Sequence, residues 1–308
     1  MMRRKRCRKI RLSIFLTFIA IAIFFIFNQH NFLNFPFIDK TLNTDFKNNF
    51  SNNESLINIH ILDVGKADSI YINCEEKNIL IDASEYVTRE KVVNYLKRFN
   101  VKNFDLVVAT HPHSDHIGGM SEIIKRFSID KFLMPKIPEE NIPTSKTYEH
   151  MLRFLKEKKV LVEYPFCGDT FFVGPLKINI LAPCKKSYEN LNNYSIVLCV
   201  NFKDKNFLFM GDAEKESEND ILSSGLNLKS DFIKIGHHGS KTSTNEKFLN
   251  KVLPKFAAIS TVSNSRIESV LSKLKIKKTK VFRTDINGTI IFSSDGGDIK
   301  VSVEKTAN

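Results

Sequence analysis

The sequence contains no tryptophan and only five cysteines among its 308 residues, and it has no C-x-x-C pair. A zinc knuckle or a small disulfide-stapled scaffold is therefore not indicated, because both need closely spaced cysteines. The odd number and the wide spacing predict that the fold requires no disulfide. We expect most of these cysteines to be ordinary buried residues; they are Cys7, Cys74, Cys167, Cys184 and Cys199.

Charge is missing from a long N-terminal segment. No Asp, Glu, Lys or Arg occurs between Arg11 and Asp39, and the run LSIFLTFIAIAIFFIF is almost wholly apolar. Seven of the 46 basic residues precede this run, within the first eleven positions. A basic cluster followed by an apolar run predicts a membrane-spanning helix with a cytoplasmic N-terminus. Because no small-x-small cleavage site follows the run, an uncleaved signal anchor is favoured over a cleaved signal peptide.

These features predict four segments of the chain. Residues 1–11 form a basic cytoplasmic N-terminus, residues 12–28 a transmembrane signal anchor, residues 29–54 an Asn-rich tether, and residues 55–305 the body. The positive-inside rule places that body outside the plasma membrane, with the protein held by a single span. Cleavage of the signal would instead release the body as a secreted protein.

Apolar runs alternate with amphipathic segments throughout the body. Strand patterns include INIHILDV, FDLVVAT and NFLFMG, which are apolar and rich in β-branched or aromatic residues. Helical periodicity occurs at about 88–99, 119–127, 145–158, 214–223, 245–253 and 266–275. Strands interleaved with helices predict a layered α/β domain.

The stretch HPHSDHIGG, which begins at His111, concentrates side chains that bind metals. It follows directly on FDLVVAT, so it lies at the end of a predicted buried strand. His111 and His113 can converge if the chain turns at the proline between them. Two imidazoles and one further nitrogen or oxygen ligand can hold an ion and leave a position open for water. Asp115 and His116, on the next turn, can begin a second site.

The longer stretch THPHSDHIGG resembles the T-H-x-H-x-D-H-x-G-G signature of the metallo-β-lactamase superfamily. Further segments agree in order, over about residues 56 to 303: INIHILDVGKADSIYI, NILIDAS, NFLFMGDAEKESE, DFIKIGHHGSKTS and FRTDINGTIIFSSDG. Their wording is similar to the extracytoplasmic C-terminal domain of ComEC-type competence proteins, and less so to the β-lactamases proper. The resemblance implies a four-layer αββα sandwich with metals at one edge, between the sheets.

The resemblance also implies a set of metal ligands. They are His111, His113, Asp115, His116, Asp212 and His238. Asp212 would bridge two ions and Asp115 would orient the nucleophile, so both are implied as catalytic residues. His238 is favoured over His237 as the last ligand, because a His-Gly pair at a strand end is the commoner form in the family. His237 would then orient substrate or support the ligands.

One ligand of the family pattern, an intermediate histidine, is missing. No histidine occurs between His150 and His237, and the segment NLNNYSIVL, where the ligand would fall, offers Asn192, Asn193 and Ser195. Whether one ion or two bind is therefore open. Zinc is the expected cofactor, and manganese is the alternative that an oxygen-rich site would favour.

This ligand set implies a metal-dependent hydrolase. The resemblance to the ComEC-type domain favours phosphodiesterase or nuclease activity on DNA or a wall polymer over β-lactamase activity, which needs the same metals. Hydroxyl and backbone N–H groups after the last metal motif could hold phosphate oxygens. We expect the substrate-binding residues to be Asn193, His237, Ser240, Lys241 and Ser243. The alternative is a non-catalytic domain that binds DNA or a wall polymer on the same scaffold. No protein partner is predicted.

Overall fold

The computed structural model describes residues 56–263 and 265–305. The predicted basic N-terminus, signal anchor and tether lie outside the described residues, so they remain predictions. Within the described residues, no helix is long and apolar enough to cross a membrane.

The first of two large sheets has eight strands. Their bounds are β1 Ile57–Ile61, β2 Ile70–Cys74, β3 Lys77–Ile81, β5 Leu106–Val108, β7 Lys131–Leu133, β8 Leu161–Glu163, β16 Ile290–Ser294 and β17 Ile299–Val303. Their order across the sheet is β17-β16-β1-β2-β3-β5-β7-β8. The strands from β3 to β8 are parallel, so their carboxyl ends open at one edge.

The second large sheet has seven strands. Their bounds are β9 Thr170–Val173, β10 Leu176–Ala182, β11 Val197–Phe202, β12 Lys205–Phe209, β13 Phe232–Lys234, β14 Phe256–Ile259 and β15 Lys280–Arg283. Their order is β15-β14-β13-β12-β11-β10-β9, and β12 to β15 are parallel. A separate short ribbon pairs β4 Asn103–Phe104 with β6 Ser128–Ile129.

Eight α-helices cover the sheets within the described residues. They are α1 Arg89–Arg98, α2 Ser114–Ile117, α3 Met120–Arg126, α4 Lys146–Glu157, α5 Lys215–Ser223, α6 Glu246–Val252, α7 Glu268–Ile276 and α8 Thr284–Asn287. Four 3₁₀ turns are Tyr86–Thr88, Glu139–Asn141, Leu191–Tyr194 and Gly236–Gly239. All six predicted helices are confirmed to within two residues. Ser145 and Asn245 begin α4 and α6 by accepting backbone N–H bonds with their side chains.

Three hydrophobic cores account for the layering. Alternate residues of β1, namely Ile57, Ile59 and Ile61, face the second sheet and meet Phe207 and Phe232 in the central core. The outer face of the first sheet packs under α1, α3 and α4, and the outer face of the second packs under α5, α6 and α7. Helix, sheet, sheet and helix therefore stack in that order, which confirms the predicted mixed α/β sandwich.

One pair of cysteines is joined by a disulfide, and that the fold does not require it stays a prediction. Cys167 and Cys184 are joined by a disulfide although they stand 17 positions apart. The chain returns through β9 and β10, and the Cys167 N–H donates to Pro183 O at 2.9 Å, which brings the two residues side by side. Spacing along the sequence could not show this return. Cys74 and Cys199 are free and buried, as expected.

Candidate metal centre

The HPHSDH loop is anchored by a carboxylate from the neighbouring strand. Asp82 follows β3 and is fully buried. Its Oδ1 accepts the Thr110 N–H at 2.8 Å, and its Oδ2 accepts the Thr110 hydroxyl at 2.7 Å. Thr110 is the last residue before His111, so Asp82 fixes the point at which the chain leaves the sheet and enters the loop.

Four of the predicted ligands come together at the sheet edge: Asp115, His116, Asp212 and His238. One ligand atom from each lies within 4.8 Å of the others. His116 Nε2 is 3.2 Å from Asp212 Oδ1, and His238 Nε2 is 3.3 Å from Asp115 Oδ2. Asp115 and His116 lie on α2, beside the first sheet, whereas Asp212 and His238 follow β12 and β13 of the second. The cluster therefore joins both halves of the sandwich.

The chemistry of this cluster suits a divalent cation. His116 Nε2, His238 Nε2 and Asp212 Oδ1 are buried, and none of them makes a hydrogen bond of acceptable geometry, although His116 Nε2 lies 3.2 Å from Asp212 Oδ1. Buried polar atoms normally have partners, because leaving one unsatisfied costs about 1–3 kcal/mol. Three such atoms facing one another, together with a second carboxylate, make a nitrogen and oxygen donor set of the kind that holds zinc or manganese.

Electrostatics in the cluster favour positive charge at its centre. Burial alone would raise the pKa of Asp212, but the imidazoles of His116 and His238 outweigh burial and hold that pKa well below its usual range. Burial alone would lower the pKa of His116, but Asp212 and Asp82 outweigh it and raise that pKa well above its usual range. The Asp212 carboxylate is thus ionised and can balance the charge of a cation.

Both imidazoles of the cluster have a second carboxylate nearby, but only the carboxylate beside His116 is within hydrogen-bond distance. His116 Nδ1 lies 2.7 Å from Asp82 Oδ2, and His238 Nδ1 lies 3.8 Å from Asp68 Oδ1. Asp68 is itself paired with Lys234, whose Nζ donates to Asp68 Oδ2 at 2.9 Å and whose side chain is 0% exposed. The Asp82 carboxylate therefore orients the His116 imidazole and leaves its Nε2 toward the cluster. The 3.8 Å between His238 and Asp68 is too long for a hydrogen bond.

His111 and His113 lie beside the cluster but outside its most compact group. His111 Nε2 is 3.1 Å from His113 Nδ1 and 3.9 Å from Asp212 Oδ2. The segment in which the missing histidine would fall lies next to the start of this loop, because the Ile196 N–H donates to Thr110 O at 2.9 Å. Ser195 Oγ accepts the Asp212 N–H at 3.0 Å, and a Cβ on Gly211 would stand 3.0 Å from Ser195. Ser195 thus fixes the backbone of Asp212. The residue before Asp212 is a glycine because a side chain there would press against Ser195.

His237 lies at the rim of the centre. Its Nδ1 is 2.9 Å from Glu214 Oε1 and 3.1 Å from the Thr242 hydroxyl, while its Nε2 is 3.9 Å from Asp212 Oδ2. Both His237 and His238 have positive φ, 48° and 51°, which is uncommon for residues other than glycine. This backbone turns the two imidazoles apart, so that His238 faces the cluster and His237 is held by Glu214.

The predicted substrate-binding residues differ in what their side chains do. Ser243 is buried and donates to Gly236 O at 2.8 Å, which closes the loop after β13. Asn193 is also buried, and its Oδ1 accepts the N–H groups of Glu214 and Ser217 at the start of α5. Lys241 is exposed and Ser240 partly so. The structure therefore leaves His237, Ser240 and Lys241 facing outward, while Ser243 and Asn193 support the loops.

Sequence reasoning did not assign roles to four residues of the centre: Asp68, Asp82, Lys234 and Glu214. Each lies inside one of the quoted motifs, since Asp68 belongs to LDVGKADS and Lys234 to DFIKIGHHGS. A lysine within an otherwise apolar strand was the signal for Lys234, because a buried ammonium group needs a partner.

The amino-acid sequence of this chain is similar to those of known proteins. The metallo-beta-lactamase superfamily profile matches residues 62–262. ComE operon protein 3 of Bacillus subtilis is 30% identical over 254 residues, covering 75% of this chain and 32% of that protein. Exodeoxyribonuclease WalJ of Streptococcus pneumoniae is 30% identical over 71 residues, covering 22% of this chain and 26% of that protein. The chain thus spans about a third of the length of its competence-protein relative.

A solved structure supports the same fold. Igni18, a metallo hydrolase from Ignicoccus hospitalis, superposes with a TM-score of 0.51 at 18% identity, covering 76% of this chain and 98% of that one. At this identity the likeness concerns the fold alone.

Proposed function

Because this chain belongs to the metallo-β-lactamase superfamily, we propose that it is a metal-dependent phosphodiesterase with DNA as its leading substrate. The observation that carries the proposal is the convergence of Asp115, His116, Asp212 and His238, with their unpartnered buried atoms. A hydrolase with a metal site is in keeping with the fold. The phosphodiester preference is supported by similarity to competence proteins and, over a shorter stretch, to an exodeoxyribonuclease.

In this proposal the residues around the cluster have the following roles in the reaction. When bound at the cluster, a divalent cation supplies a water molecule of lowered pKa and polarises a phosphoryl oxygen. Asp115, on the exposed side of the cluster, would accept a hydrogen bond from the attacking water and orient it. His237, held by Glu214, and the neighbouring Ser240 and Lys241 face outward, where they would contact the phosphate. Zinc is the expected ion, as one or two, with manganese as the alternative.

The test replaces a ligand and compares it with an aspartate far from the centre. Asp212→Ala should abolish stoichiometric metal binding and lower hydrolysis of bis-p-nitrophenyl phosphate by orders of magnitude, while the melting temperature of the metal-free protein changes little. Asp204→Ala, in the exposed turn between β11 and β12, is the matched control. If the wild type bound metal but hydrolysed no phosphodiester with either zinc or manganese, the non-catalytic binding domain would replace this proposal.

We further propose that the body acts outside the plasma membrane, held there by residues 12–28. The basic cluster before that segment supports this orientation. The Cys167–Cys184 disulfide is a second, independent support, because disulfides persist outside the reducing cytoplasm. Protease added to intact protoplasts should digest the body. Protection of the body until the membrane is permeabilised would contradict the orientation.

A further inference from the structure

A short turn that contacts the backbone of α2 presents two apolar side chains to solvent. Tyr86 is 61% exposed and Val87 is 76% exposed, both in the 3₁₀ turn that follows β3. An aromatic ring left this exposed retains a large apolar area in contact with water. Two such side chains, adjacent in the chain, are a candidate contact surface for a ligand.

The turn is fixed to the helix that carries two of the ligands. The Ala83 N–H donates to His116 O at 2.7 Å, and the Gly119 N–H donates to Ser84 O at 3.2 Å. A Cβ on Gly118 would lie 2.3 Å from Tyr86 N, so the turn and α2 are in direct backbone contact. The position of Tyr86 relative to α2, and hence to the cluster, is therefore set by backbone and not by a flexible side chain.

Arg89 holds the Tyr86 ring in place. Its guanidinium carbon lies 3.7 Å from the centroid of the ring, and its Nη1 donates to the Tyr86 carbonyl. The ring remains mostly exposed in this arrangement. A ring ordered in advance loses less conformational entropy when a ligand stacks on it. The adjacent guanidinium also contributes positive charge for a phosphate.

The chemistry of this pair distinguishes two phosphodiester substrates. Glycerol phosphate and ribitol phosphate polymers carry phosphates but no aromatic ring, whereas each nucleotide of a nucleic acid carries a planar base. Aromatic side chains bind single-stranded nucleic acid by stacking on bases that are not already stacked in a duplex. We propose that Tyr86, held by Arg89, stacks on a base of single-stranded nucleic acid whose phosphate lies at the metal cluster. This proposal rests on the phosphodiesterase function proposed above.

The test compares substrates that differ in the base alone. The full chain would be assayed on a single-stranded oligothymidylate, on an abasic oligomer of the same length, and on a glycerol phosphate polymer. The wild type should prefer the oligothymidylate to the abasic oligomer by roughly tenfold in kcat/KM, chiefly through KM. Tyr86→Ala should bring that ratio close to one, and Tyr86→Phe should restore it. Phe172→Ala, which removes a 73% exposed ring from β9 at the far edge of the second sheet, should leave the ratio unchanged.

Other outcomes would overturn the proposal. If Tyr86→Ala slowed all three substrates equally, or if the wild type preferred the abasic oligomer or the glycerol phosphate polymer, the exposed turn would serve another partner. If the wild type hydrolysed none of them, the phosphodiesterase function would fail, and fluorescence anisotropy of labelled oligothymidylate would test the stacking alone. Tighter binding to the wild type than to Tyr86→Ala, with no such difference for the abasic oligomer, would support the platform, and equal binding would refute it.

Discussion

Replacing Lys234 with methionine should destabilise the protein by about 4 kcal/mol. The Lys234 ammonium and the Asp68 carboxylate are both buried, and their 2.9 Å hydrogen bond joins β13 of the second sheet to the loop after β1 of the first. Methionine matches the length of the lysine stem but leaves Asp68 Oδ2 without its cation. At the 2.9 Å that separates Lys234 Nζ from Asp68 Oδ2, and with an effective dielectric constant of about 20, the Coulomb attraction between the two charges is roughly 6 kcal/mol. Removing one partner of a buried pair costs about 3–5 kcal/mol.

The assay is urea unfolding at pH 7 in the presence of a chelator, so that metal binding does not contribute to stability. The double variant Lys234→Met/Asp68→Asn provides the matched control, because it removes the stranded charge while leaving the fold otherwise unchanged. It should recover about 2 kcal/mol of the loss, since neutralising both members of a buried pair costs less than breaking it. A loss below about 1 kcal/mol for Lys234→Met, or no recovery in the double variant, would show that the pair is not the buried ionic contact described here.

Three further predictions concern other parts of the fold. Burial lowers the pKa of His60 to about 4, so between pH 6.5 and pH 4 the unfolded chain binds a proton that the folded protein does not. The free energy of unfolding should therefore fall by ~3 kcal/mol as the pH is lowered from 6.5 to 4. Urea titrations of His60→Gln at several pH values should lack this part of the pH dependence. Cys167→Ser should lower the free energy of unfolding by about 3 kcal/mol, as expected for a loop of this size; an unchanged melting temperature under reducing agent would contradict this. Asp82→Asn should weaken metal binding about 10–100-fold by loosening His116, and calorimetry showing wild-type affinity would exclude the orienting role.

Features that depend on short, local sequence patterns could be predicted. The ligands Asp115 and His116 are neighbours in one motif, and the six long helices follow a 3.6-residue period, so both were predictable. The two-residue strands β4 and β6 could not be predicted, because two residues are too few to show an alternation. The Asp68–Lys234 pair and the Cys167–Cys184 bond join positions that only the folded topology brings together.

Site predictions were limited in the same way. A motif can indicate that Asn193 and Ser243 lie near the centre, but whether their side chains face the cleft or support a loop depends on neighbouring backbone N–H and C=O groups. A role for Tyr86 could not be predicted from the sequence, because an isolated tyrosine after a strand belongs to no periodic pattern or motif spacing. Its significance comes from exposure and from Arg89, both of which are properties of the fold.

The pairing of β1 affects how the protein can be synthesised. β1 lies between β2 and β16, and its residue Asn58 pairs with Ser293, 235 positions later. A ribosome adding about 5–20 residues per second needs roughly 10–50 s to deliver that partner. During this time one edge of a strand with an apolar face has no neighbour from its own chain, which is the condition under which strands associate with other molecules. Completion of the nascent domain, and with it the closing of the central core, therefore waits for nearly the last strand to be made.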